Sequence, residues 1–453
     1  MSEDNERTAV VTGAESGQGP DIAPDLAAIE IEHRVVEVNG LRMRLAEAGS
    51  GPLVVLLHGF PESWYSWRHQ LRALADAGFH AVAPNQRGYP GTGSPAAVAD
   101  YTMMHLVGDV VGLIGALGEQ NAAVIGHDWG APVAWHTALL RPDLVRGVGG
   151  LSVPFSARTP VPALTATRAR FGDTFYQLYL QRPGVEEDFE SDLVESYRRI
   201  LFGLSGDNPE VRRLLIPEGQ RFFDGWISPD KLPAWLTERD LAAYVEEFAE
   251  SGFLGPLNWY RNIDRNWALT APWEGAQITP PALFLAGDRD PVMSWYDTST
   301  LEASLRTVVP NLRRFQLEPG AGHWIQQERP EVTNAALVEF ATATSRSTRD
   351  RGVMEPQPPQ PPFCVHDTGS TQYWIWPYLI GDWRYRVINK EKRGTRYAYD
   401  VHIWNPDRGW VFVVQVDASS PDEGGFVAAL EVANTITFGR PGKEDMPGPV
   451  GSV

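Results

Sequence analysis

Residues 124–130 read VIGHDWG: an apolar run, a Gly-x-x-x-Gly turn and, at the centre of the turn, the carboxylate of Asp128. Such a turn lets the chain bend sharply out of a buried strand while a helix packs close behind. The central side chain is left exposed over the sheet edge, at a helix N-terminus. Alone the motif is weak, because an aspartate there could simply cap the following helix. As a nucleophile, however, it would be selective. A serine attacking an alkyl carbon would form an ether that water could not readily undo. A carboxylate forms an ester instead, which an activated water can hydrolyse at its carbonyl. Asp128 therefore points to substitution at an sp³ carbon, and epoxides and haloalkanes are the two substrate classes that fit.

Elements with a regular rhythm surround this turn. HRVVEV and LRMRLAEAG read as a strand pair joined at Asn39-Gly40, a strong hairpin signal. LVVLLHG is a glycine-bounded apolar run, as a strand buried on both faces should be. HAVAPNQRGYPGTGS is a strand entering a Gly-rich loop, and residues 102–118 show helical apolar spacing. The glycines of that loop lack a following Lys-Ser/Thr pair, so it reads as a turn and not as a phosphate-binding loop. AAVIGHDWG is then strand and turn, and APVAWHTALLRP is helix. The rhythm breaks after GVGGLSVP and resumes with PALFLAGDRDP and LRRFQLEPGAGHW, followed by the helix PEVTNAALVEFATAT.

This alternation predicts a mostly parallel sheet with helices on both faces, and ligands at the carboxyl ends of its strands. The predicted organisation has a flexible leader over 1–31 and a core from 32–154 and 273–343. A helical cap over 155–272 is inserted after the sixth strand. A Pro-rich linker over 344–362 leads to a small β-rich unit over 363–453.

The pattern resembles the α/β-hydrolase fold. In that fold the loop after the third strand supplies one oxyanion-hole N–H, and the residue after the nucleophile supplies the other. Those positions are Phe60, in LLHGFPESWYSWRHQ, and Trp129. The fold also runs nucleophile, acid, histidine along the chain. Ten histidines are present, yet His323 is the only one between residue 137 and the linker, and it follows the last predicted strand of the core. A structural histidine is the usual alternative; here position selects His323 as base. GDRDPV offers Asp288 and Asp290. Asp290 is assigned as the acid that orients His323, and Asp288 is assigned to the turn itself. Phe60, Trp129 and Trp324 are expected to wall the substrate pocket.

The leaving group separates the two substrate classes. Halide leaves as a stable anion, whereas an epoxide oxygen leaves as a basic alkoxide and needs a proton donor. A phenol, with a pKa of about 10, is protonated at neutral pH and suits that task. The cap segment carries Tyr176 and Tyr179 in TFYQLYLQRPG and Tyr260 in LNWYRNIDRNW, although any one of them could equally be packing.

HGFPESWYSWRHQ, GHDWG, YQLYLQRPG, LNWYRN, GDRD and GHW, in that order, resemble the soluble epoxide hydrolases of the α/β-hydrolase superfamily over roughly residues 32–342. The resemblance implies that Asp128, Asp290 and His323 are nucleophile, acid and base, and that the lid tyrosines are Tyr176 and Tyr260. No metal or organic cofactor is expected, and the cap aromatics suggest a small apolar or aromatic epoxide as substrate. Ala131 stands where the family often has a second glycine, and the C-terminal β unit lies outside the family pattern. A dehalogenase would share the three acidic and basic groups without needing the tyrosines. A non-catalytic small-molecule receptor on the same fold would not need the intact triad.

Composition narrows the remaining classes. The chain of 453 residues is 43% hydrophobic and 21% charged, as expected of a globular protein. No apolar run approaches the roughly 20 residues of a membrane span, and the acidic N-terminal stretch does not read as a secretory signal. A net charge of −18 argues against nucleic-acid binding. A single cysteine, Cys364, fits a reducing cytoplasm. A homodimer is left open. Trp374, Trp376, Trp383, Trp404 and Trp410 in the C-terminal unit are read as its own core in preference to a binding surface.

Overall fold

The computed structural model describes residues 29–211, 213–350, 363–365, 371–375, 384–393, 396–405 and 409–418. Strands β1 (Glu32–Val38) and β2 (Leu41–Ala48) pair antiparallel. Asn39 and Gly40 join them at φ 53° and 77°, the left-handed pair that a two-residue hairpin needs. β3 (Leu53–Leu57), β4 (His80–Pro84), β5 (Ala122–His127), β6 (Val145–Leu151), β7 (Ala282–Gly287) and β8 (Leu312–Glu318) complete an eight-stranded sheet ordered β1-β2-β4-β3-β5-β6-β7-β8. β4 pairs antiparallel with β2, and the neighbours from β4 through β8 are all parallel.

Alternate residues of β3 explain its unbroken apolar sequence. Leu53, Val55 and Leu57 enter one core cluster, and Val54 and Leu56 enter the other, on the opposite face. The first cluster takes in apolar residues of α2 (Met103–Ala116) and α3 (Gly130–Leu140); the second takes in those of α1 (Arg68–Asp76).

Between β6 and β7 the described residues form seven α-helices: α4 (Ala163–Phe171), α5 (Tyr176–Tyr179), α6 (Glu186–Glu190), α7 (Leu193–Gly203), α8 (Glu238–Ser251), α9 (Leu254–Arg261) and α10 (Ile263–Leu269). α8 opens on a reciprocal capping box between Thr237 and Asp240. Polar contacts tie this helix to the core: the Trp64 indole donates to Glu247 at 2.7 Å, and the Tyr65 hydroxyl donates to Asp240 at 2.9 Å. α11 (Thr298–Val308) links β7 to β8, and α12 (Ile325–Glu328) and α13 (Pro330–Asp350) follow.

α13 continues to Asp350, so the first residues assigned to the linker are helical. Its sequence there, TSRSTRD, contains no proline or glycine to stop a helix. Residues 351–362, the rest of that linker, lie outside the described residues, as do 1–28 of the leader.

A second, wholly antiparallel sheet has the order β13-β12-β11-β10-β9. Its strands are β9 (Phe363–Val365), β10 (Thr371–Ile375), β11 (Arg384–Arg393), β12 (Arg396–Asn405) and β13 (Gly409–Ala418). Cys364 lies on β9, and Trp374, Trp404 and Trp410 lie on β10, β12 and β13. Trp376 and Trp383 lie outside the described residues. Among the described residues, no helix is long and apolar enough to cross a membrane.

Candidate active site

β5 ends at His127 and α3 begins at Gly130, leaving Asp128 in the tight turn between them with φ 47°. A Cβ on Gly126 would meet the backbone of Gly130, and a Cβ on Gly130 would meet the carbonyl of Leu57. Both glycines are thus demanded by backbone approach, and the strained φ falls on the residue whose side chain they present.

The Phe60 N–H donates to Asp128 Oδ1 at 2.8 Å. Trp129, the other predicted donor, is the N-cap of α3, so its N–H belongs to the opening turn where helical N–H groups lack intrahelical acceptors. His323 stands between two carboxylates: Nε2 lies 3.6 Å from Asp128 Oδ2, and Nδ1 lies 3.1 Å from Asp290 Oδ1. Asp290 is buried at the N-terminus of a 3₁₀ turn, Pro291–Trp295, where the same oxygen accepts the Val292 N–H at 2.9 Å. Asp288 is engaged elsewhere, accepting the Gly320 N–H at 2.7 Å.

The charges reinforce one another. Burial disfavours the Asp128 carboxylate, but the neighbouring His323 outweighs it and holds the carboxyl below its usual range. Burial likewise disfavours the imidazolium, yet the carboxylates of Asp290 and Asp128 raise His323 well above an ordinary histidine.

A cavity opens over this cluster. Asp128, His323 and Phe60 line it from the core side, and Tyr176 and Tyr260 line it from the inserted helices. The two phenol rings lie 5.9 Å apart, and Tyr260 is edge-on to Phe60 at 5.3 Å and to Trp129 at 5.1 Å. Burial, followed by the Asp128 charge, raises the Tyr176 phenol; burial and the neighbouring Tyr176 raise that of Tyr260. Tyr179 is turned away, its hydroxyl donating to Asp188. Gln181 fastens the two tyrosine helices together, its amide donating to the carbonyls of Gln177 and Tyr260, both at 2.9 Å. The rest of the wall is apolar, including Leu180, Ile200, Phe222 and Trp226.

Two of the three expected pocket residues are absent from this lining. Trp324 packs behind His323 against His127, and its fully buried indole donates to the Leu201 carbonyl at 2.8 Å. Trp129 lies edge-on to Trp259 and Tyr260, so its ring backs the lining tyrosine. Phe60 does line the cavity.

Several supporting residues were missed from sequence. Glu62, fully buried, accepts from the Gly59 N–H at 2.9 Å, the Gln326 amide at 3.0 Å and the Gln327 amide at 3.3 Å, and lies 2.8 Å from His127 Nδ1. His127 Nε2 in turn lies 2.7 Å from the His323 carbonyl oxygen. Ser152, beyond the end of β6, places its hydroxyl 3.0 Å from His323 Nδ1. A lone serine in LSVPF carries no sequence signal that sets it apart from any other loop hydroxyl. Among the described residues, no cluster of three His, Cys, Asp or Glu side chains could hold a metal ion.

Residues 52–330 match the α/β-hydrolase fold family. The chain is 47% identical over 315 residues to epoxide hydrolase A of Mycobacterium tuberculosis, covering 68% of this chain and 97% of that protein. It is 42% identical to epoxide hydrolase 3 of Siraitia grosvenorii, over 69% and 98% of the two chains. Among solved structures, epoxide hydrolase A from Mycobacterium thermoresistibile matches with a TM-score of 0.65 at 47% identity, over 69% of this chain and 98% of that one. An epoxide hydrolase from an endophytic Streptomyces matches with a TM-score of 0.67 at 43% identity, over 70% and 96%.

Proposed function

Since the chain belongs to the soluble epoxide hydrolases of the α/β-hydrolase superfamily, enzymes that hydrolyse ether bonds, we propose that it opens its epoxide through a covalent ester on Asp128. The observation that carries this reading is one carboxylate held between the Phe60 N–H and His323, beneath two phenols in one cavity.

In the first step the oxirane oxygen accepts hydrogen bonds from Tyr176 and Tyr260. Asp128 attacks a ring carbon in line, the C–O bond breaks, and the leaving alkoxide takes a phenolic proton. Because both phenols are raised, they are protonated at neutral pH and available as acids.

Forming the ester removes the Asp128 charge, one of the two that hold the proton on His323. His323 thereby loses affinity for its proton, which passes through solvent to the phenolate left by ring opening, and the neutral imidazole becomes a base. It deprotonates a water that adds to the ester carbonyl. The oxyanion forms on the carboxyl group that the Phe60 N–H already contacts, with Trp129 N–H as the second donor. Collapse releases a vicinal diol and restores Asp128, while Asp290 keeps the imidazole oriented. The substrate is a small apolar or aromatic epoxide, consistent with the apolar wall. Operation in the cytoplasm and without a cofactor belongs to the same proposal.

A single turnover of excess enzyme on styrene oxide in ¹⁸O-labelled water tests it. Label should enter Asp128 while the first diol stays unlabelled, and Asp128→Ala should form no ester. A labelled first diol would mean that water attacks the epoxide directly, and the ester route would be wrong.

A further inference from the structure

The loop that carries His323 is fastened to the inserted helices by one buried carboxylate. Glu328, 5% exposed, accepts the N–H groups on both sides of the base. Its Oε2 takes Gly322 N–H at 2.9 Å, and its Oε1 takes Trp324 N–H at 3.1 Å. The same Oε2 accepts a third N–H, that of Gly206, at 2.9 Å, from the segment that follows α7.

Two more bonds join these segments. His323 N–H donates to the Leu204 carbonyl at 2.9 Å, and the Trp324 indole N–H donates to the Leu201 carbonyl at 2.8 Å. The backbones themselves touch: a Cβ on Gly206 would meet Gly320 and Gly322, and one on Gly322 would meet Gly206 and Ser205. Ile200 and Leu204, from this same stretch, line the cavity. The base is therefore registered against the part of the wall that these two residues form, as well as against the end of β8.

We propose that Glu328 is a positioning residue for the second half-reaction, holding the His323 main chain where the imidazole can direct water at the Asp128 ester. The proposal rests on the ester reading above. A carboxylate suits the place because three N–H donors converge on it. A glutamine has one acceptor oxygen, and its NH₂ would face donors. Attack on the epoxide by Asp128 requires little from the His323 loop, because the nucleophile is held by β5, α3 and the Phe60 N–H. Hydrolysis depends on the angle and distance of the imidazole, so a small displacement of this loop acts on that step.

The test is step-resolved. Rapid-quench single turnovers of the full-length protein with styrene oxide, read by mass spectrometry of the Asp128 ester, separate ester formation from ester hydrolysis. In Glu328→Gln, ester formation should stay within about twofold of the unmodified protein. Hydrolysis should slow by about tenfold or more, so the ester accumulates at steady state. Equal slowing of both steps, or unchanged hydrolysis in a folded variant, would overturn the proposal, since a merely stabilising carboxylate has no reason to select one step. If Glu328→Gln does not fold, Glu328→Asp keeps the charge on a shorter arm and is judged by the same ratio of rates. An unmodified protein that never shows an ester on Asp128 would remove the ester reading, and this proposal with it. Ester that forms normally but fails to accumulate in the variant would remove this proposal alone.

Discussion

His323 Nε2 stands 3.6 Å from Asp128 Oδ2, beyond a normal hydrogen bond but close enough for each charge to shift the other. Burial opposes both charges, and the attraction to the carboxylates overrides it, so His323 is raised and Asp128 is lowered. The resting site is an ion pair, and on the proposed ester route its negative member is consumed in the first step.

The pH dependence of the two half-reactions should therefore differ. Ester hydrolysis needs neutral His323, so its rate should rise with pH through the histidine pKa of the ester state and fall on the acid side. Ester formation needs ionised Asp128 and protonated phenols; the lowered Asp128 pKa and the raised phenols keep both conditions met through that range. Quenched at mildly acid pH, the enzyme should hold more ester than at alkaline pH. Histidine NMR of Asp128→Asn should show His323 titrating at lower pH than in the unmodified protein. A His323 titration unmoved by that substitution would contradict the coupling.

Each phenol should matter to ring opening alone. Tyr176→Phe and Tyr260→Phe should each slow ester formation by about 10- to 100-fold and leave ester hydrolysis near its normal rate. Because both phenols are raised, ester formation should not decline up to pH 10, where an ordinary tyrosine is half ionised. A fall already complete at pH 9 would assign the acid to some other group.

Glu62 joins the Phe60 loop, the end of β5 and the start of α12. Glu62→Gln should destabilise the fold by about 2 kcal/mol or more, because its NH₂ would face donors now satisfied by a carboxylate. Urea unfolding checks this, and a midpoint unchanged within error would show that the network carries no net stability.

Trp226 is one of the large side chains on the apolar wall and packs over Gly203. Trp226→Leu should enlarge the cavity without adding a polar group, and shift preference towards bulkier aryl epoxides by about tenfold in relative kcat/KM. Competition between styrene oxide and a larger diaryl epoxide measures it; an unchanged ratio would mean that this wall does not bound the substrate.

The elbow was legible because its causes are local. Gly126, Asp128 and Gly130 fix a strand–turn–helix within a few residues, and Asp290 and His323 lie just past strands that their own apolar runs announce. The pocket wall was less legible. Trp324 and Trp129 sit beside His323 and Asp128 in sequence, but each indole points where its local backbone turns it, behind the cavity and not into it. Glu62 and Glu328 gave no signal, because a glutamate in a polar loop reads as solvated surface. Gln326 is 264 positions from its partner Glu62, and Glu328 meets Gly206 across 122, so neither burial can be read from neighbours.

By itself the sequence offered Asp128 as the attacking group and, through the chemistry of a carboxylate, the reaction class, and it determined the order of strands and helices that presents that residue. Those follow from side-chain chemistry and from periodicities that span a few residues. Only the tertiary structure decided which carboxylates are buried and what surrounds them. Folding brings distant donors onto Glu62 and Glu328, sets two carboxylates against His323, and turns Tyr176 and not Tyr179 over Asp128. Desolvation and charge coupling act through space over a few ångströms, whatever the separation along the chain, and so they appear only once the sheet and the inserted helices have come together.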